Sequence, residues 1–130
     1  VIATLACAGG TRADPIMECG LMAQGQAGLH DCLSKQLEVI SGAMTQALEL
    51  ARGQAQERDR GNGGDTAVLA VEASQQAWEA HRDTACQTRA IFAGGGLGAA
   101  PDAVQLACEI ELTRARTDAL LGLAGRPLAD

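Results

Sequence analysis

Cysteine is the residue type whose number and spacing carry the most chemistry in this chain. Of five cysteines, Cys19, Cys32, Cys86 and Cys108 stand as C-x12-C and C-x21-C, and Cys7 precedes them in an apolar opening. A structural zinc site draws ligands from close pairs such as C-x2-C, and neither His30 nor His81 stands in an H-x3-H or H-E-x-x-H frame. Disulfides tolerate long gaps, and small exported chains keep them where the core is too thin to hold alone. Two bridges in an oxidising compartment are therefore expected, with no metal and no cofactor. Chain proximity favours Cys19–Cys32 with Cys86–Cys108, and the crossed pairing, Cys32–Cys86 with Cys19–Cys108, stays open.

The other chemistries find no frame. Gly61 to Gly64 and Gly94 to Gly98 are glycine-rich, but the second run follows a helical pattern rather than a strand and neither carries G-K-S/T, so a phosphate loop is not indicated. No G-x-S-x-G occurs, and a cysteine held in a disulfide cannot attack a substrate. Asp31, Glu38, Asp83, Glu109 and Glu111 are scattered, and a solvated acidic face explains them better than an acid–base pair does. An enzyme is not expected. One segment stands apart: Trp78, Arg82 and Cys86 fall at i, i+4 and i+8, which sets the lone tryptophan, a cation and a sulfur on one helix face. Arg82 there either covers the indole or pairs with a carboxylate of a neighbouring helix.

Residues 1–13 read as the remnant of a signal peptide: an apolar, uncharged stretch, then Thr11 and Ala13 as small residues ahead of a cut before Asp14. Residues 14–130 then form a single domain, and Cys7 leaves with the signal. Thr4-Leu5-Ala6-Cys7 is a poor lipoprotein box, and membrane attachment is expected only if Cys7 is lipidated; if residues 1–13 are instead a plain N-terminal tail, Cys7 is a free thiol. A formal charge of −6 disfavours nucleic acid and anionic lipid and favours cationic partners.

Glycine clusters divide the rest into three helical stretches. From Cys32 to about Arg58, Leu33, Leu37, Ile40, Met44, Leu48 and Ala51 recur at steps of four and three. A second helix, capped by Asp65 or Thr66, runs to about Ala93 with Val71, Trp78, Ala85 and Phe92 at sevens along one face. A third begins at Pro101, with Val104, Cys108, Leu112, Ala115, Ala119 and Leu123 inward, and stops at Gly125 and Pro127. Strand alternation is absent. The expected fold is all-α: a disulfide-stapled three-helix bundle built on an antiparallel helix hairpin, with the cysteines gathered toward one end.

Gln75, Trp78, Arg82, Asp83 and Cys86, then Cys108, Leu112, Thr113, Arg116 and Leu120, resemble the Q-x-x-W-x-x-x-R-D-x-x-C … C-x-x-x-L-T-x-x-R-x-x-x-L pattern of the LprI-type, lysozyme-inhibitor-like domains of exported bacterial proteins. The resemblance spans roughly Cys19 to Leu123. Cys19 and Leu29-His30-Asp31-Cys32 fall where that family has Cys and Met-Asn-x-Cys, whereas Ser41, Met44-Thr45 and Leu48 replace its Asp, Leu-Asn and Tyr. The resemblance implies a periplasmic, cell-surface or secreted domain of the bacterial envelope. It gives Gln75, Trp78, Arg82, Asp83, Thr113 and Arg116 structural roles, and for some members it implies inhibition of lysozyme. The partner so implied is a cationic lysozyme or related muramidase, which an acidic chain attracts. The glycine-rich segment with Gly94, Gly95, Gly96, Leu97 and Gly98 is the expected contact with its cleft. A non-inhibitory structural or accessory envelope module is the alternative.

Overall fold

The computed structural model describes residues 14–21, 25–93 and 100–125. They form four helices, α1 (Pro15–Gly20), α2 (Gly25–Asn62), α3 (Thr66–Ala93) and α4 (Pro101–Leu123). The fold is all-α, with two disulfides. The α2–α3 hairpin turns at residues 63–65, and α4 runs back along both of its arms, parallel to α2. Residues 1–13 and 94–99 lie outside the described residues, so the signal remnant and the glycine-rich contact segment do too.

A short helix joins the three expected ones. Asp14 accepts a hydrogen bond from Ile16 N at 2.9 Å, Pro15 supplies a preset φ at the first helical position, and Glu18 sits at the positive end, which together suffice to start α1. The helix seats Cys19, 1% exposed, against Leu33, Ala103, Ala107 and Ile110.

Helix α2 begins seven residues before Cys32, at Gly25. Leu29 packs into the same cluster as Cys19, and this packing with the neighbouring disulfide outweighs the low helix propensity of Gly25 and Gly28. At the other end α2 continues past Arg58 to Asn62 and stops where Gly63 (φ 69°) and Gly64 (φ 145°) adopt conformations that side chains disfavour. The side-chain cap of α3 is neither Asp65 nor Thr66. Asp59, buried on α2, reaches across the turn and accepts from Ala67 N at 2.8 Å and Val68 N at 3.0 Å.

Two apolar clusters run end to end along the bundle. One joins Cys19, Leu33, Ala103, Ala107 and Ile110, and the other joins Met44, Ala47, Leu48, Ala51, Ala55, Val71 and Leu120. On α3 the buried residues are Val71, Gln75, Cys86 and Ala90, while Phe92 is 86% exposed. A row spaced at sevens drifts about 20° per heptad on a straight 3.6-residue helix, so after three heptads Phe92 has left the face that Val71 began. On α4 the buried face is Ala103, Ala107, Cys108, Ile110, Thr113, Thr117 and Leu120. Of the expected inner row, Cys108 is buried, Val104 and Leu112 are half-buried, and Ala115, Ala119 and Leu123 are exposed. This helix meets α1, α2 and α3 together, which demands a wide buried arc, and threonines inside with alanines outside blur its apolar stripe.

Candidate functional site

Both disulfides lie in the half of the bundle that holds α1, the start of α2, the end of α3 and the start of α4. Cys19 is bonded to Cys32 with Cα atoms 5.8 Å apart, and Cys86 to Cys108 at 5.4 Å. The first ties α1 to α2 and the second ties α3 to α4. Glu18 adds polar ties between the same elements, accepting from Arg114 Nη2 at 3.2 Å and from Gln36 Nε2 at 3.3 Å. Arg89 of α3 pairs with Glu111 of α4 at 2.9 Å.

Further along, α3 and α4 are joined through Gln75. This amide is 5% exposed, and both of its ends are engaged. Its oxygen accepts from Arg116 Nε at 2.9 Å, and its nitrogen donates to Glu79 Oε1 at 3.3 Å and points at Met44 Sδ, 3.9 Å away, so one side chain touches three helices. Arg116 also donates to Ser74 Oγ at 3.0 Å. Burial pushes the Arg116 guanidinium below its ordinary pKa. Trp78 is half-buried against the Met44–Leu120 cluster. The Arg82 guanidinium lies over its ring, 5.0 Å from the centroid. The carboxylate that Arg82 meets is Asp83 of its own helix, at 2.9 Å, and not one on a neighbouring helix. Thr113 is fully enclosed, with its hydroxyl unpaired within the protein, and its carbonyl accepts from Thr117 Oγ1 at 2.8 Å.

The structure thus brings Gln75, Arg116, Trp78 and Arg82 onto one seam, sets Asp83 at its edge and puts Thr113 inside. No nucleophile and base stand together there, and among the described residues no group of three or more His, Cys, Asp and Glu could hold a metal ion. What the seam can do chemically is fix the rotation of α3 against α4, since a buried amide and a partly buried guanidinium each lose hydrogen bonds if either helix turns. No described helix is long and apolar enough to cross a membrane.

Sequence reasoning missed the pairings of Glu18 with Arg114 and of Asp59 with the start of α3. Asp14-Pro15 with Glu18 is a helix-start signature that would have found α1. Nothing local marks Asp59, whose amide partners lie eight and nine residues on.

The chain matches the family model described as Lysozyme inhibitor LprI over residues 18–120. It belongs to that family. No match was found among curated proteins or among solved structures. The matched span contains all four bridged cysteines and the whole Gln75–Arg116 seam. The family is named for inhibiting an enzyme rather than for catalysis.

Proposed function

We propose that this chain is an exported protein of the bacterial envelope that binds and inhibits a cationic c-type lysozyme or related muramidase. Residues 1–13 are the remnant of its export signal and residues 14–130 its inhibitory domain. The observation that carries this reading is family membership over a span that includes both disulfides. A chain of charge −6 supports it, since an acidic surface raises the encounter rate with a basic enzyme.

The disulfide-bearing half is the proposed contact surface. It presents Asp31, Glu38, Asp83 and Asp102 in exposed positions, and Met17, Leu21, Ile91 and Phe92 stand out of it at 68%, 88%, 75% and 86% exposure. Apolar residues among carboxylates suit a basic partner with an apolar cleft. A muramidase works with a carboxylate pair in such a cleft, so an inhibitor need only cover it. Gly94, Gly95, Gly96, Leu97 and Gly98 begin two residues after Phe92 in the chain and are the proposed residues to enter the cleft. Gln75, Trp78, Arg82, Thr113 and Arg116 are proposed to hold the scaffold rather than touch the enzyme, and Asp83, paired with Arg82, stands where that scaffold meets the contact surface.

The test is binding of immobilised c-type lysozyme by the wild type, by a variant with residues 94–100 replaced, and by Ile91→Ser/Phe92→Ser. Loss of binding in either variant at unchanged melting temperature supports this surface. Binding that survives both would move the contact to the helix faces.

A further inference from the structure

The two disulfides differ in how well they are covered and in what they hold. Cys86 and Cys108 are 0% and 1% exposed, and the helices they join, α3 and α4, are tied again by Arg89–Glu111 and by the Gln75–Arg116 hydrogen bond. Cys19 is enclosed as deeply, but its partner Cys32 is half-buried, the one of the four bridged cysteines that keeps part of its surface open among the described residues. Thiol–disulfide exchange needs a thiolate to reach a sulfur, so access separates the two bonds.

What Cys19–Cys32 holds is a helix of six residues. So short a helix does not persist alone, because nucleation costs more than one turn returns, and α1 therefore stands by its docking. Besides the disulfide, it is held by packing of Ile16 and Cys19 on the cluster of Leu33, Ala103, Ala107 and Ile110, and by the hydrogen bonds that Glu18 accepts from Gln36 and Arg114. Both polar ties end on the same oxygen, Oε2, of a part-exposed carboxylate, where water competes for it. Opening the disulfide puts two thiols where one bonded pair sat. Two thiols need more room, and the packing around Cys19 has none to spare.

We propose that Cys19–Cys32 is a redox-sensitive latch: a dithiol reductant opens it while Cys86–Cys108 stays closed, and α1 then leaves its seat on α2 and α4. One thiolate of the reductant attacks Cys32 Sγ and forms a mixed disulfide, and Cys19 Sγ leaves as a thiolate and takes a proton. The second thiolate of the reductant attacks the reductant sulfur of that mixed disulfide, and Cys32 leaves in turn and is protonated. The protein disulfide gains two electrons and two protons, and the dithiol that gives them up is oxidised to a disulfide. Leu33, Ala103, Ala107 and Ile110 lose the cover that α1 gave, while α3 and α4 stay bridged. Met17 of α1 and Leu21 at its end move with it, so the latch also bears on the surface proposed for lysozyme, but its opening does not rest on that reading.

The full chain, with any free thiol first blocked by N-ethylmaleimide, is incubated without denaturant in rising dithiothreitol, quenched with iodoacetamide and mapped by peptide mass. Cys19 and Cys32 should be alkylated at a reductant concentration at least tenfold below the one that labels Cys86 and Cys108. In that half-reduced protein, hydrogen exchange of residues 15–20 should quicken at least tenfold, exchange around Cys86 and Cys108 should not change, and reoxidation should restore the slow rate. Cys19→Ser/Cys32→Ser should exchange like the half-reduced protein with no reductant present; if that variant does not fold, the half-reduced wild type decides. Reduction of both bonds together, earlier reduction of Cys86–Cys108, or exchange of α1 that is equal with the bond open and closed overturns the proposal. So does loss of helix throughout the half-reduced chain, since the release is local to α1.

Discussion

Arg116 of α4 and Gln75 of α3 are joined by a 2.9 Å hydrogen bond in which the arginine Nε donates to an amide oxygen whose residue is only 5% exposed. The amide's other end reaches Glu79 and Met44, so the bond sits where three helices meet. Removing either partner leaves a poorly solvated polar group without its mate. Gln75→Ala should therefore destabilise by about 2 kcal/mol, and Arg116→Ala by about 1–2 kcal/mol. Urea denaturation of the two variants and the double variant checks this: the double should cost less than the sum, with a coupling of about 0.5–3 kcal/mol. Strict additivity would mean that the bond does not couple α3 to α4.

Trp78 packs against the Met44–Leu120 cluster on one side and lies under Arg82 on the other, only half-buried. Trp78→Ala should cost about 2–3 kcal/mol, under the 3–5 kcal/mol of a fully enclosed aromatic. Arg82→Ala should cost about 0.5–1 kcal/mol through the lost cation–π contact, since its pairing with the exposed Asp83 contributes little. Thermal and urea melts of both variants give the comparison. A Trp78→Ala protein that melts like wild type but no longer binds its partner would make this face a recognition surface instead.

Glu72 and Arg52 predict how stability responds to acid. The hydrogen bonds from Arg52 hold the Glu72 carboxyl below the usual carboxylate range, and the same bonds raise Arg52 further above neutrality. A carboxyl whose pKa is lower folded than unfolded stabilises the fold above its unfolded value of about 4.3 and loses that contribution as pH falls through the folded value. Between roughly pH 5 and 3 the wild type should lose melting temperature that Glu72→Gln, already without the pair, does not lose. Parallel curves for the two proteins over that window would contradict the assignment.

The bundle and its hairpin are legible in the sequence because Leu33, Met44, Leu48 and Ala51 keep a 3.6-residue rhythm, and because Gly63 and Gly64 stand where only glycine turns easily. The inner face of α4 is not legible. Its core positions include Thr113 and Thr117, while Ala115 and Ala119 are exposed, so hydropathy points to the wrong side. Phe92 misleads for a related reason, since a seven-residue row tracks a supercoiled seam that α3 does not keep. Spacing singled out Gln75, Trp78, Arg82 and Arg116 as a motif. That Gln75 meets Arg116 across two helices is a tertiary fact, with no signature in a stretch of residues 41 positions long.

Lysozyme inhibition is the central claim, and a titration of residual lysozyme activity tests it most directly. Purified protein with its disulfides intact is added to c-type lysozyme acting on cell-wall substrate, at low and at physiological salt. Activity should fall in a saturable manner at micromolar protein or below, and the inhibition should weaken as salt screens the attraction between acidic inhibitor and basic enzyme. Undiminished activity of every lysozyme class tried, at micromolar protein and low salt, would contradict the claim and leave an accessory module of the envelope in its place.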